Sequence, residues 1–497
     1  MSTAPVLNYD SIDSPVMYHR GRVISLGELL LTVDYLARQL PPHKHLLNLY
    51  EDRYHFLLGF LLGLKQQSIS LFPSTVTPHV LSQLQHDYDD ILVLAHTGNK
   101  QGDFQHFDLG ALLAEAEFYP DILPRQLSQH ATDQSLKTII PDVELTREVA
   151  IIFTSGSTGL PQPYSKQWGD FIIIARLLAD KFLSERGHNL SAAVIATVPA
   201  QHMYGLEASI LMAIQNGLLI HSSKPFFPQD ITHCLEDITG IGSDPAHKLA
   251  TTLIITPLHL KACIKTNVPL PGVGQFISAT APLDQELAQQ CESRYGARVM
   301  EIFGCTEVGS MAWRRTIASE QWNVMDDIRL TAMSNGADGH HADEQNVRLD
   351  TSRSIKQFLF NDVIELVDEQ HFILKGRKED LINLAGKRTS LAYLNHHLQS
   401  CDVLLDGCFY QDDSYPEGRL IAFVVLKPNQ RERVSHTEIT SKQTILTIRA
   451  HLKNKIEPVF LPKKIYFVNA LPRNATGKLP LSELKKLLQQ LLQEQGN

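Results

Sequence analysis

No two of the six cysteines, at 234, 263, 291, 305, 401 and 408, stand in a CxxC pair, and none falls in a Cys/His cluster at metal-ligand spacing. This excludes a disulfide-stapled or zinc-held design and leaves reduced thiols. Basic character is scarce too. Against 54 Asp and Glu there are 45 Lys and Arg, giving a formal charge of −9 with the cations scattered, so no nucleic-acid partner is expected. The tightest basic group, Lys375 to Arg388, is interleaved with Glu379 and Asp380 and reads by itself as a solvated loop. No run reaches the ~20 apolar residues of a membrane span, and the longest candidate, Phe56 to Leu64, suits a buried helix. The N-terminal MSTAPVLNYDSIDSP lacks the basic-then-apolar order of a signal peptide, so a cytoplasmic protein without a membrane span is expected.

What is present is a chain long enough for several domains: 497 residues, 43% hydrophobic, which is within the globular range. Up to about residue 150, β-rich apolar runs (45–50, 69–72, 90–95) alternate with helical stretches (26–40, 54–66), the pattern of a parallel sheet covered by helices. The same texture resumes at 192–198, 218–221, 252–255 and 299–303. Residues 335–354 turn polar and irregular and read as loop or linker, with His340 and His341 facing solvent. A smaller unit follows, with helices near 391–398 and 445–453, strands near 408–410, 420–426 and 465–467, and a terminal leucine-spaced helix packed on it. The expected fold is therefore α/β: a large N-terminal domain, 1–375, of wound parallel-sheet subdomains, then a small α+β C-terminal domain, 376–497.

The most informative segment is VAIIFTSGSTGLPQPYSK, Val149 to Lys166. An apolar strand runs into Thr154, Ser155, Gly156, Ser157, Thr158 and Gly159, six small or hydroxyl residues whose backbone N–H groups can wrap a phosphate because nothing bulky blocks the approach. Two other readings fail on spacing. Gly159 is followed by Leu160 and Pro161, not by the Lys-Ser/Thr of a Walker A loop, and Gly156-Ser157-Thr158-Gly159 is one residue short of a GxSxG nucleophile elbow.

This loop resembles the phosphate loop of the adenylate-forming (AMP-dependent) synthetases and ligases, and further segments follow in that superfamily's order. Pro199 to Gly205, PAQHMYG, resembles its Pro-x-x-His-x-x-Gly segment, which implies that His202 borders the acid near its carboxylate. Ala279-Thr280-Ala281-Pro282-Leu283 resembles the turn along adenine, and Glu301-Ile302-Phe303-Gly304-Cys305-Thr306-Glu307 resembles the aromatic-Gly-x-Thr-Glu signature. The resemblance implies that Phe303 covers adenine, Thr306 touches the α-phosphate and Glu307 holds Mg²⁺. It assigns Asp362 and Arg377 to the ribose, Glu379 to a hinge, and Ala385, Gly386 and Arg388 to a loop that meets the thiol acceptor. Leu471 to Lys478, LPRNATGK, resembles the C-terminal lysine motif, so Lys478 would be the catalytic cation on a mobile lid.

The chemistry implied is activation of an acyl or aryl acid with ATP and Mg²⁺, followed by transfer to coenzyme A or to the phosphopantetheine of an acyl carrier protein. Gln162 and Pro163 stand where the superfamily has Lys and Gly; Lys166 is a candidate replacement for that cation. Between Arg315 and Asp362 the chain is short and lacks a Gly-Glu-Leu motif. These departures, with DRYHF at 52–56 and AGKRTSL at 385–391, resemble the carrier-loading ligases of bacterial aryl polyene pathways. The alternative from another class is a degenerate, non-catalytic AMP/ATP-binding protein.

Overall fold

A computed structural model describes residues 2–73, 76, 78–98, 104–115, 133–154, 162–183, 192–241, 249–332, 347–353, 358–359, 362–377, 381–384, 387–412, 419–428, 438–453, 455–474 and 479–496. By internal packing the chain forms two compact units. One comprises Met1–Ser319, Asn323–Arg329 and Thr351–Lys356; the other comprises Glu320–Trp322, Leu330–Asp350 and Gln357–Asn497.

The first unit is built on two mixed sheets. In one, the spatial order is Gln162–Gln167, Glu148–Thr154, Ile69–Phe72, His45–Asn48, Ile91–Leu94, Gln105–Phe107, parallel throughout except for the first strand, which returns antiparallel along Glu148–Thr154. In the other, Arg298–Cys305, Val273–Ser278, Ala250–Ile255, Ala192–Ala196, Leu219–His221 and Pro15–His19 lie side by side in parallel. Antiparallel Gly309–Arg315 and Arg22–Ser25 flank them. The parallel strands are buried runs such as Thr251 to Ile255, as expected where both faces are covered.

Two helix starts show how local chemistry sets these elements. Ser25 caps Leu26–Gln39 through a capping box with Glu28, satisfying backbone donors at the first turn. Asp52 caps Arg53–Lys65, a helix buried from Arg53 to Leu64; its all-round apolar sequence suits a central position with no solvent face.

The second unit contains the hairpin Asp362–Leu366/His371–Arg377 and a three-stranded sheet, Leu404–Asp412, Arg419–Leu426, Lys464–Phe467. Side chains alternate across that sheet. Phe409, Leu420, Ala422 and Val424 meet helices Leu391–Gln399 and Glu438–Lys453 on one face, while Cys408, Tyr410, Ile421, Phe423 and Val425 meet Leu484 and Leu488 of helix Leu481–Gly496 on the other. The terminal helix thus packs on the small sheet, as its leucine spacing predicts. Among the described residues no helix is long and apolar enough to cross a membrane, and all six cysteines are free thiols.

One sequence expectation is overturned here. Part of the segment read as linker is structured: Val347–Thr351 is a strand, and Arg353 just beyond it is buried. Its guanidinium bonds both Asp327 carboxylate oxygens, at 2.7 and 3.1 Å, an attachment 26 residues away that no local pattern reveals. His340 and His341 lie outside the described residues.

Candidate active site

Three sequence-predicted segments leave the C-terminal ends of strands in one parallel run, where open α/β sheets place their ligands. Pro199–Gly205 follows Ala192–Ala196, Ala279–Leu283 follows Val273–Ser278, and Thr306–Glu307 follows Arg298–Cys305. Between them ends Ala250–Ile255. The Tyr204 hydroxyl donates to the Ile277 carbonyl at 2.6 Å and lies 3.3 Å from that of Ile255, so it bridges two strand ends.

Pro199–Gly205 is folded tightly. A Cβ on Gly205 would sit 1.9 Å from the Pro199 carbonyl oxygen, so the position admits only glycine. His202 is half-buried at the N-cap of the helical turn Met203–Gly205, which leads into a π-helical stretch, Leu206–Leu211. Arg53 fixes the segment from behind. It is fully buried, and its guanidinium donates to the Val198 carbonyl, to Ser209 Oγ at 3.1 Å and to the Ser223 carbonyl at 3.1 Å. Burial pulls its pKa down to about 10, which still leaves it charged at neutral pH. Arg53→Met would remove the donor to two buried acceptors, the Val198 carbonyl and Ser209 Oγ, and to the Ser223 carbonyl. The expected cost is about 3 kcal/mol or more, read as a lower urea midpoint with an unchanged slope. A loss below about 1 kcal/mol would contradict this reading of the clamp.

The Ala279–Leu283 turn carries a strained residue, Thr280 at φ +79°, which is uncommon for a β-branched side chain. Such strain persists only where its surroundings enforce it, and Glu301 is part of that enforcement. Its Oε1 accepts from the Leu283 amide at 3.0 Å, while Oε2 accepts from Arg314 Nε at 2.6 Å and Thr316 Oγ1 at 2.7 Å. Burial pushes the Glu301 carboxyl up; Arg314 and Thr316 pull it down. Sequence reasoning placed Glu301 among the nucleotide-binding residues; its side-chain carboxylate is buried and bonded to the Leu283 amide, Arg314 and Thr316, which leaves only its backbone for such a role.

The turn after Arg298–Cys305 is equally determined. Lys166 Nζ donates to the Glu307 carbonyl at 2.6 Å. Glu207 Oε2 accepts from the Ser310 amide at 2.9 Å and hydroxyl at 2.5 Å. Arg353 donates to the carbonyls of Val308, 3.2 Å, and Ser310, 2.9 Å. The Glu307 carboxylate lies near the Tyr164 phenol, whose pKa is raised by burial first and by Glu307 second. Burial and then Glu307 push the Cys305 thiol up to about 12, so Cys305 is no thiolate nucleophile. The idea that Lys166 supplies a mobile phosphate-facing cation is also corrected: it is only 3% exposed and bound to backbone, whereas Gln162 on the same strand is exposed. Sequence reasoning missed Tyr164, Glu207 and Arg353, although Glu207 is a lone carboxylate in an apolar run, LEASILMAI, and could have been noticed.

Other expected residues are placed less fully. Thr154 ends Glu148–Thr154 directly opposite Gln162 in the hairpin register. Ser155, Gly156, Ser157, Thr158 and Gly159 lie outside the described residues, as do Glu379, Ala385, Gly386 and Lys478. In the second unit Asp362 stands opposite Arg377 across the hairpin, and Arg388 lies on the strand Lys387–Ser390. Arg473 makes a paired contact with Asp406, 2.7 and 2.8 Å, and so anchors the chain five residues before Lys478.

Among the described residues no group of three or more His, Cys, Asp and Glu is disposed to hold a metal. Glu307 offers one hard oxygen ligand, which fits a Mg²⁺ ion bound mainly through water and phosphate oxygens.

Comparison with known proteins agrees with this geometry. A 4-coumarate–CoA ligase of Halorhodospira halophila is 25% identical over 327 residues, 66% of this chain and 73% of the relative. The O-succinylbenzoate coenzyme A synthetase of Bacillus subtilis with AMP shares the fold at a TM-score of 0.73, with 15% identity over 96% of each chain. The same enzyme with ATP and magnesium ion gives 0.72 and 16%, over 95% of this chain and 97% of the other. Residues 92–370 match the AMP-binding enzyme family and 411–478 match the AMP-binding enzyme C-terminal domain, so the chain belongs to the AMP-binding enzymes.

Proposed function

We propose that this protein is an acid–thiol ligase that joins a carboxylic acid to the α-phosphate of ATP and then passes the acyl group to a thiol. In the first step a carboxylate oxygen bonds to the α-phosphorus and the bond to the β-bridging oxygen breaks, releasing pyrophosphate. In the second, a thiol sulfur bonds to the acyl carbon, its proton leaves, and AMP departs with the carboxylate oxygen. The observation that supports this reading is the gathering of three segments at the C-terminal ends of one run of parallel strands, with the Thr306–Glu307 turn anchored through its backbone.

On this reading His202 lies by the acid, Thr280, Ala281, Pro282 and Phe303 border adenine, and Asp362 and Arg377 hold ribose. Ser155 to Gly159 wrap the outer phosphates, Thr306 contacts the α-phosphate, and Glu307 binds Mg²⁺. Lys478 neutralises the developing charge as a preorganised donor. A lid turning near Glu379 withdraws Lys478 and brings Ala385, Gly386 and Arg388 to the thiol. The acceptor is coenzyme A or a carrier-protein phosphopantetheine, and the acid is aryl or acyl; the relative's name makes 4-coumarate a natural first probe.

Exposed Gln162 and buried Lys166 favour a second reading, a non-catalytic AMP/ATP binder whose phosphate loop lacks a free cation. Pyrophosphate release across a panel of aryl and fatty acids separates the two. The ligase reading expects acid-dependent release with at least one acid class, and mass spectrometry with each thiol then identifies the acceptor. Nucleotide binding without release for every acid would overturn it.

A further inference from the structure

The strand Gln162–Gln167 has a single buried residue, and that residue is a lysine. Its neighbours explain how the charge is tolerated. Glu207, 1% exposed, and Asp327 supply two carboxylates against the two cations Lys166 and Arg353, and half-buried Asp170 adds negative charge near Lys166. A buried network of this kind costs desolvation free energy and gives, in return, one defined geometry.

That geometry is centred on one turn. The carbonyls of Glu307, Val308 and Ser310 each accept from a buried cation, and the amide and hydroxyl of Ser310 are both taken by Glu207. The other Glu207 oxygen has no hydrogen-bond partner among the described residues and lies against Gly309 at φ +91°, where a Cβ would come within 2.1 Å of it. Lys166 is also on the return strand of the hairpin whose outgoing strand ends at Thr154, with Gln162 paired to Thr154. Tyr164, two residues before Lys166 and on the same face, lies near enough to the Glu307 carboxylate for that charge to help raise its phenol pKa. One strand therefore holds Glu307 by its backbone carbonyl, brings Tyr164 near its carboxylate, and begins at the Thr154–Gln162 pair.

We infer that Lys166 is a positioning residue for adenylation: with Glu207 and Arg353 it locks the Thr306–Ser310 turn so that Thr306 and Glu307 are presented to phosphate and metal in fixed register. The inference rests on the ligase reading for its chemistry and on the turn geometry for its structure. The cation acts through the Glu307 backbone and never touches the nucleotide.

The test uses the full-length protein and two variants, Lys166→Met and the double variant Lys166→Met/Glu207→Gln, which removes both charges and retains bulk if the single variant folds poorly. Hydrogen exchange of the ligand-free protein across 303–311 comes first, since it does not depend on any activity. Exchange at least about tenfold faster there than in wild type is expected in either variant that folds, and unchanged protection in the double variant would overturn the anchoring.

Acid-dependent ATP–pyrophosphate exchange then separates positioning from general stability. The double variant should have kcat lowered about 10²-fold and a half-saturating Mg²⁺ concentration raised about tenfold, with the KM for acid within a few-fold of wild type. Wild-type kcat and Mg²⁺ dependence in a stably folded double variant would show the network to be only structural and sink the inference. Absence of exchange by the wild type with every acid would instead overturn the ligase reading and with it the adenylation role of Lys166.

Discussion

Replacing Lys478 with alanine is expected to lower acid-dependent ATP–pyrophosphate exchange by about 10²- to 10³-fold, while thioester formation from preformed acyl-AMP stays within a few-fold of wild type. The asymmetry follows from where charge develops. Attack on the α-phosphorus concentrates negative charge on carboxylate and phosphate oxygens, and a fixed ammonium stabilises it; attack of a thiol on the finished adenylate needs no cation at that place. The chain leading toward Lys478 is anchored as far as Arg473. Leu471 is buried against the small sheet, and Arg473 is paired with Asp406, whose carboxylate also accepts from the Gly407 amide at 2.8 Å. Assaying the two half-reactions separately checks the prediction, and equal loss of both would contradict the division of labour.

Glu307→Gln is the companion experiment, and the structure makes it clean. The turn is anchored through the Glu307 carbonyl and through Val308 and Ser310, none of which the substitution alters. Only the side-chain carboxylate, near Tyr164, is altered. Adenylation should fall about 10²-fold with a weaker response to Mg²⁺, while the urea midpoint moves by less than about 0.5 kcal/mol equivalent. An unchanged Mg²⁺ dependence would remove Glu307 as a metal ligand. Relief of the Tyr164 phenol offers a second readout. Its pKa is held up partly by Glu307, so in the variant the phenol should titrate at lower pH than in wild type, with the shift due to burial remaining.

The fold was legible in the sequence wherever burial produces a local period. The helix read at 26–40 is Leu26–Gln39, that at 54–66 is Arg53–Lys65, and the strand at 69–72 is Ile69–Phe72, because each carries its signal, a cap with apolar spacing or a short apolar run, within one window. The order of the chemical segments was legible for a different reason. Sharp turns at strand ends demand small residues and unusual backbone angles, and Gly205, packed on the Pro199 carbonyl, and Thr280, at positive φ, carry that signal.

Long-range electrostatics was not legible. Whether Lys166 faces nucleotide, solvent or protein depends on Glu307, which lies 141 residues away, and its strand alone suggests an exposed edge. Glu301 adjoins residues of the expected adenine site, yet its side chain points to Leu283, Arg314 and Thr316 because strand alternation sends neighbouring residues to opposite faces. Arg353 sits in a polar stretch that resembles a linker, and only Asp327 and the Val308 turn make it a core residue.

The central claim is that a covalent acyl-adenylate links acid activation to thioester formation, and oxygen transfer measures that link. An acid that gives pyrophosphate release is labelled with ¹⁸O in both carboxylate oxygens, then incubated with ATP, Mg²⁺ and the thiol acceptor. AMP recovered from the reaction should carry one ¹⁸O in its phosphate, and the pyrophosphate none. Unlabelled AMP, or label in a phosphate released together with ADP, would contradict adenylation at the Thr306–Glu307 turn.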